Sequence, residues 1–472
     1  MLILQSDTAK PAGFPWRKAL FLYGISYGLC LFFLNALFWD DWAVKTVSAQ
    51  MERDMWKELG FPPPISFIVI DVLQRSPIYI HLATLCLFFA GGWLLFQILQ
   101  KADFISSEER HLITILFLVL PINSARVAMQ MFNYSYSLFF FYAAWYVLVT
   151  KRGWVAKFIS IVLFLLSFNT LSLVTFVALP VIHYLLLNTS NLTKIKFKNI
   201  FGPILLLLMA PAYWLLIKVI YPPSVEYRSY YSPQVSGTIR GLLLMSLATS
   251  LLGWALWRAR KTRDFRLTKI TIGCFLIALG AFPYITSGRL VDISEWMLNF
   301  VPRASDWESR NQLLLGLGFA FMITGLIGNV DSNFKRKSVT ILIGSCVFLN
   351  FTFMQGYMLD ARKQSEVIQR FSESQTLKSG NVIMINDFAL RYNARGRTYR
   401  TFEWNGMLEK AFGNANRKHV DFGYVDCGNP EIRIPDVLVE INASNGRFKS
   451  ILTNHIGIDI TATKISPCDS GG

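Results

Sequence analysis

The sequence predicts an all-α polytopic membrane protein of about eleven transmembrane helices, with a small C-terminal α/β domain outside the cytoplasm. Three observations carry this. Hydrophobic residues make up 53% of the 472 positions and charged residues only 16%, too apolar a balance for an ordinary globule. The apolar residues fall in blocks of membrane-crossing length, and the basic residues gather in alternate loops between them.

The apolar segments run over 19–38, 77–99, 111–123, 134–150, 158–170, 171–187, 200–221, 239–257, 270–286, 312–330 and 339–357. Those at 111–123, 158–170 and 171–187 are short for full spans. The stretch from Phe158 to Leu187, interrupted at Asn169-Thr170, reads as a tight hairpin or one long kinked helix. With the N-terminus inside, cytoplasmic loops hold twenty Lys and Arg, among them Arg17, Lys18, Lys151, Arg258 and Lys335. Loops on the other side hold ten before residue 358. This positive-inside bias accounts for the net charge of +16, and no nucleic-acid module is in view. Met1 to Lys18 lacks a cleavage-like pattern, so the first span is expected to remain as an uncleaved anchor.

The first outer loop, Trp39 to Ser76, opens on Phe38-Trp39-Asp40-Asp41-Trp42. Carboxylates at a membrane edge are costly and default to functional candidates; the plainer reading is an interfacial tryptophan anchor with the acids facing water. Val44 to Leu59 places Val44, Val47, Met51, Met55, Trp56 and Leu59 at spacings of three and four, a helix lying along the membrane surface. Phe61-Pro62-Pro63-Pro64 ends it, and Ser66 to Leu73 leads to the next span.

Two later outer loops are rich in polar and aromatic residues. Tyr221 to Gly241 contains Glu226, Arg228, Tyr227, Tyr230 and Tyr231; Ser287 to Asn311 contains Arg289, Arg303, Asp306, Glu308 and Arg310. Tyrosines stack on sugar rings and also populate interface belts. Arg303 and Arg310 suit a phosphate or a salt-bridged surface turn. Arg126 either binds phosphate or snorkels to headgroups. His81 and His183 read as hydrogen-bonded packing residues.

Residues 1–357 are thus expected to form the membrane domain and residues 358–472 a soluble one. In the latter, Asn381–Asn386, Asp436–Ile441 and Gly457–Ile465 read as strands and Glu403–Phe412 as a helix. It shows no nucleophile elbow, phosphate loop or paired-histidine site, which suggests an accessory role. Of six cysteines, Cys30, Cys86, Cys274 and Cys346 lie in apolar segments. Cys427 and Cys468 are the candidate disulfide, unless they remain two separate thiols; no metal-ligand spacing is present.

A biosynthetic enzyme working on the outer face has no nucleotide sugar and needs a lipid-carried donor. A polyprenyl-phosphate sugar fits, because its phosphate departs as an anion without a general acid. One carboxylate then takes the acceptor hydroxyl's proton, and arginines stabilise the departing charge. Asp40 and Asp41 are neighbours, about 100° apart on a helix, so one is expected to be the base, with Asp41 preferred, and the other a positioning group.

An outer first loop opening with Trp39-Asp40-Asp41-Trp42, followed by a surface helix, resembles the GT-C class of integral membrane glycosyltransferases. The layout is most similar to the phage-type O-antigen glucosyltransferases. Met131-Phe132-Asn133-Tyr134-Ser135-Tyr136-Ser137 and Val301-Pro302-Arg303 also look similar to that group. The resemblance implies a hexosyl transfer from a polyprenyl phosphate to a surface polysaccharide or its lipid-linked precursor, in a bacterial inner membrane with the C-terminal domain periplasmic or extracellular. It implies Asp41 or Asp40 as the catalytic base and Arg303 or Arg310 at the donor phosphate, with Arg126 a further phosphate candidate read from the residues alone. Trp42, Tyr230 and Glu226 are the substrate-binding candidates. No cofactor or metal is expected. A polymerase or ligase of lipid-linked oligosaccharides is the alternative. A transporter or flippase is disfavoured, since few charges lie deep in the spans (Lys218 is near an end).

Overall fold

The structure is a computed structural model describing residues 13–46, 48–73, 75–151, 153–188, 197–227, 233–262, 264–287, 314–328, 332–413, 418–420, 436–446, 449–451 and 455–464. The protein is mostly helical, with one small sheet near the C-terminus. Helix α1 covers Trp16–Tyr27 and passes into a 3₁₀ turn at Gly28–Phe32. The first loop carries α2 (Asp41–Thr46), α3 (Ala49–Glu58) and α4 (Ser66–Val72). The bundle continues with α5 (Pro77–Leu99), α6 (Ser107–Val119), α7 (Met131–Thr150), α8 (Trp154–Ser167) and α9 (Ala178–Asn188). Then follow α10 (Phe197–Ile220), α11 (Val235–Thr262), α12 (Arg266–Thr286), α13 (Gly316–Ile327) and α14 (Ser332–Glu373).

Among the described residues, four helices are long and apolar enough to cross a membrane: α5, α11 over Val235–Ala259, α12, and α14 from Asn333. Shorter apolar helices occupy Trp154–Ser167, Leu171–Tyr184, Ile204–Ile220 and Gly316–Ile327. By length and composition these helices are consistent with a membrane protein, and the described residues hold fewer full-length spans than the eleven apolar segments. Helix α5 matches its predicted segment residue for residue; Pro77 starts it, where a missing N–H leaves no bond unmade. The segment 19–38 is divided, because the helix gives way at Gly28. The segment pair at 158–187 is broken at Phe168–Thr170, with a 3₁₀ stretch at Leu171–Val177 before α9. Small residues allow the helices close approach: a Cβ on Gly273 of α12 would lie 2.6 Å from the Met322 amide nitrogen of α13.

Two predicted boundaries differ. The surface helix expected over Val44–Leu59 is divided into α2 and α3. Ser48 caps the second, its hydroxyl accepting the Met51 N–H at 3.2 Å. The last apolar segment does not stop at residue 357. Helix α14 runs 42 residues without a break, carrying the chain out of the bundle and into the C-terminal unit.

That unit holds α15 (Gln375–Ser379), β1 (Val382–Asp387), α16 (Thr401–Phe412), β2 (Lys418–Val420), β3 (Val437–Ala443) and β4 (Ile458–Lys464). The sheet order is β2-β1-β3-β4, with β1 parallel to β2 and β3, and β4 antiparallel to β3. Side chains that alternate along β3 (Val437, Val439, Ile441) are buried. Helix α14 anchors the sheet by polar contacts. The fully buried Lys363 ammonium reaches Asp387 Oδ1 and Asn393 Oδ1, each at 2.7 Å. Glu366 accepts the N–H groups of Ile456, Gly457 and Ile458 at 2.6, 2.9 and 3.2 Å.

The core of this unit is shared with the bundle. Leu37 and Trp42 of the first loop, Phe67 of α4 and Met129 before α7 pack in one buried cluster with Phe371 of α14 and Trp404 of α16. The C-terminal unit therefore sits directly on the first loop.

Candidate functional site

The site is built from a turn that few residues adopt. After the 3₁₀ turn the chain must reverse to start α2, and it does so at Trp39, whose φ of 52° lies in the left-handed region. For a bulky side chain this conformation is a true outlier, held only where surrounding contacts over-determine it. The Trp39 indole stands edge-on to Tyr357 of α14, ring centres 5.6 Å apart, and the Arg397 guanidinium carbon lies 5.1 Å from its ring centre. The Trp39 N–H donates to Glu403 Oε2 at 3.3 Å.

The turn separates the two aspartates by environment. Asp41 is fully buried at the start of α2, with its carboxylate folded back over the turn. Oδ2 accepts the N–H of Phe38 at 3.1 Å and of Met129 at 2.9 Å, and Oδ1 accepts the Gln130 N–H at 3.2 Å. Burial pushes its pKa up to about 7; the three N–H donors pull the other way, and the neighbouring Asp40 charge adds slightly to the rise. Asp40, one residue earlier, is half-buried.

Met129 and Gln130 end the short segment that also carries Arg126. That residue is 4% exposed in a 3₁₀ turn at Ala125–Val127. Its guanidinium carbon stands 3.6 Å from the Phe88 ring centre and 4.5 Å from that of Tyr27, cation–π contacts on two aromatic faces. Nε and Nη1 are buried and find no hydrogen-bond acceptor, and both amide ends of Asn123 are in the same condition. Ser124, between them, faces the Tyr357 hydroxyl at 3.4 Å, and Tyr357 packs edge-on against Phe38 and Trp39. The arginine and the acid pair thus share a scaffold.

A polar string leads away from Gln130 through the bundle. Asn133 Nδ2 donates to Gln130 Oε1 at 3.1 Å, the Ser66 hydroxyl donates to Asn133 Oδ1, and Asn169 Nδ2 donates to Ser66 Oγ at 3.0 Å. Among the described residues, no three His, Cys, Asp or Glu side chains come together as a metal site would require.

The remaining candidates are placed as follows. Trp42 is 3% exposed, and a Cβ on Gly406 of α16 would overlap its ring, so it packs beneath the C-terminal unit. Glu226 is exposed in a turn whose Ser224 N–H donates to Glu58 O at 2.9 Å. Arg303, Arg310, Tyr230, Cys427 and Cys468 lie outside the described residues, as do Arg289 and the remaining tyrosine at 231. Cys30, Cys86, Cys274 and Cys346 are free thiols. The histidines are packing groups: His183 Nδ1 accepts the Trp145 indole N–H at 3.1 Å, and His81 Nδ1 lies 2.7 Å from Leu34 O.

Sequence reasoning missed Asp360, Arg397, Tyr399 and Glu403. Arg397 Nη1 lies 2.7 and 2.9 Å from the two Glu403 oxygens, and its Nε lies 3.3 Å from Asp360 Oδ2. Tyr399 donates to Asp360 Oδ1 at 2.6 Å. Burial alone would lower the Arg397 pKa, but the Asp360 and Glu403 carboxylates outweigh it and hold the guanidinium charged. Only the spacing of opposite charges, Arg397 to Glu403, hinted at the pair. No family model, curated protein or solved structure matches this chain.

Proposed function

We propose that the protein is a membrane glycosyltransferase that moves a sugar from a polyprenyl-phosphate donor to a hydroxyl of a cell-surface glycan or its lipid-linked precursor. In this reading the acid pair and Arg126 lie on the outer face of a bacterial inner membrane. The eleven apolar segments form a GT-C-like membrane domain, and the C-terminal unit is extracytoplasmic. The observation that carries the reading is the joining of Asp41 to Met129 and Gln130, which ties the acid pair to the segment bearing a buried, unsatisfied arginine. A buried guanidinium with two nitrogens lacking an acceptor is costly, and a phosphate is a natural complement to them.

The two acids divide the work. Asp41, saturated by backbone donors, holds the turn; the half-buried Asp40 is the base, a reversal of the sequence-based preference. The acceptor oxygen attacks the anomeric carbon as its proton passes to Asp40, and the bond from that carbon to the phosphate oxygen breaks. The electron pair leaves with the lipid phosphate, whose charge Arg126 balances, with Arg303 and Arg310 as further candidates.

The test is transfer by the purified protein from radiolabelled polyprenyl-phosphate hexoses to lipid-linked glycan. Asp40→Asn should lower the rate about 10²–10⁴-fold, the usual worth of a general base. Full activity in both Asp40→Asn and Asp41→Asn would remove the proposed chemistry.

A further inference from the structure

We infer that the C-terminal unit is part of this site: Arg397 and Glu403 form a positioning clamp that holds the left-handed Trp39 turn and so aims Asp40. The inference rests on the glycosyl-transfer reading for its consequence, but the clamp itself stands on geometry. Trp39 occupies a backbone region unfavourable for an L-residue with its side chain, φ 52°. Contacts from outside the turn help to offset that. The fully buried Glu403 does so by accepting the Trp39 N–H, and Arg397 fixes the Glu403 carboxylate through both oxygens.

Arg397 is itself tied to the helix that leaves the bundle. Asp360 on α14 meets its Nε and also takes the Ala394 N–H at 2.9 Å, next to the Tyr399 hydroxyl. The guanidinium is then layered between the rings of Trp39 and Tyr399, its carbon 5.1 and 4.8 Å from their centres. The relay runs from α14 through Asp360, Arg397 and Glu403 to the Phe38–Trp39 peptide, one residue before Asp40. No member except Trp39 belongs to the first loop, so the clamp adds support from outside to the turn's own bonds, among them Phe38 N–H to Asp41 Oδ2 and Asp41 N–H to Phe38 O, each at 3.1 Å. The close seat of Gly406 on Trp42 brings α16 to the other side of the same turn.

The test is amide hydrogen exchange on the full chain in nanodiscs, read on peptides covering Phe38–Trp42 and, as control, on β1 and β3. Glu403→Ala should speed exchange at Phe38–Trp42 at least tenfold and leave the two strands unchanged. Glu403→Gln, whose amide oxygen can still accept the Trp39 N–H, should lie between. Unchanged exchange at Phe38–Trp42, or equal acceleration in the strands, would overturn the clamp. In the transfer assay, Glu403→Ala should lower kcat tenfold or more with KM for the donor unchanged, and Glu403→Gln should recover part of it; wild-type kcat alongside accelerated exchange would overturn its positioning role. A wild-type protein that transfers no sugar, yet shows the exchange pattern, counts against the glycosyl-transfer reading and leaves the clamp in place.

Discussion

Arg126 lies three and four residues before Met129 and Gln130, whose N–H groups bind Asp41, yet the seats of these two buried side chains are opposite. The Asp41 carboxylate receives three backbone N–H donors from two chain segments. The Arg126 guanidinium rests on two aromatic faces, with two of its nitrogens unsatisfied. Aromatic faces supply roughly 0.5–2 kcal/mol, far short of the several kcal/mol that desolvating an ion costs. The first seat is complete as folded and belongs to the architecture. The second leaves two guanidinium nitrogens without an acceptor, which the proposed donor phosphate would supply. Asp40, one residue earlier, is half-buried where Asp41 is fully buried.

The sharpest way to break this division is to neutralise each group in turn. Asp40→Asn should produce the largest effect, a hundredfold or greater loss of transfer, with the melting temperature in detergent unchanged. Asp41→Asn should act on stability. An amide offers one oxygen where the carboxylate offered two, and turns an NH₂ toward backbone donors. Leaving buried N–H groups unmet costs about 1–3 kcal/mol each, so the protein should melt several degrees lower. Equal stability of the two variants would erase the distinction.

Arg126→Met tests the other seat. Replacing a buried, unpaired cation by an apolar side chain of similar length is expected to be neutral or stabilising. Polyprenyl phosphate should raise the melting temperature of the wild-type protein, since a ligand that binds the native state stabilises it, and should lose this effect in Arg126→Met. A variant that melts lower and still responds to the lipid would show the seat complete without a ligand.

The outline was legible where the signal is local. Helix α5 follows from an uninterrupted apolar run with Pro77 at its head, and β1, β3, β4 and α16 follow from short-range alternation and periodicity. The acid pair was legible because charge at a membrane edge stands out against its surroundings. Its division of labour was not, because Met129 and Gln130 approach Asp41 from 88 and 89 residues away, and no sequence period encodes that. Helix α14 overran its expected end because its polar continuation faces the C-terminal unit, so a drop in hydropathy marked a change of surroundings and not a helix terminus. The clamp was invisible for the same reason: Glu403 meets Trp39 across 364 positions.

The smallest expected effect concerns pH. Glu52 of α3 is buried; burial raises its pKa to about 7 even though Arg75 Nη2, 3.0 Å from Oε2, pulls it down. Asp41 is raised to a similar value. A carboxyl with a folded pKa above its unfolded value near 4 binds more protons when native than when unfolded between those limits. Its contribution is full below about pH 4 and is lost as pH rises through about 7. The protein should therefore melt lower at pH 8 than at pH 5. Glu52→Gln keeps the side-chain shape and removes one of the two titrations, so it should flatten the decline by part and not abolish it. Arg75 retains Asp71 and the Val44 carbonyl, at 3.1 and 2.9 Å, so the variant should fold normally. A decline unaltered by Glu52→Gln would remove Glu52 as its source and leave Asp41.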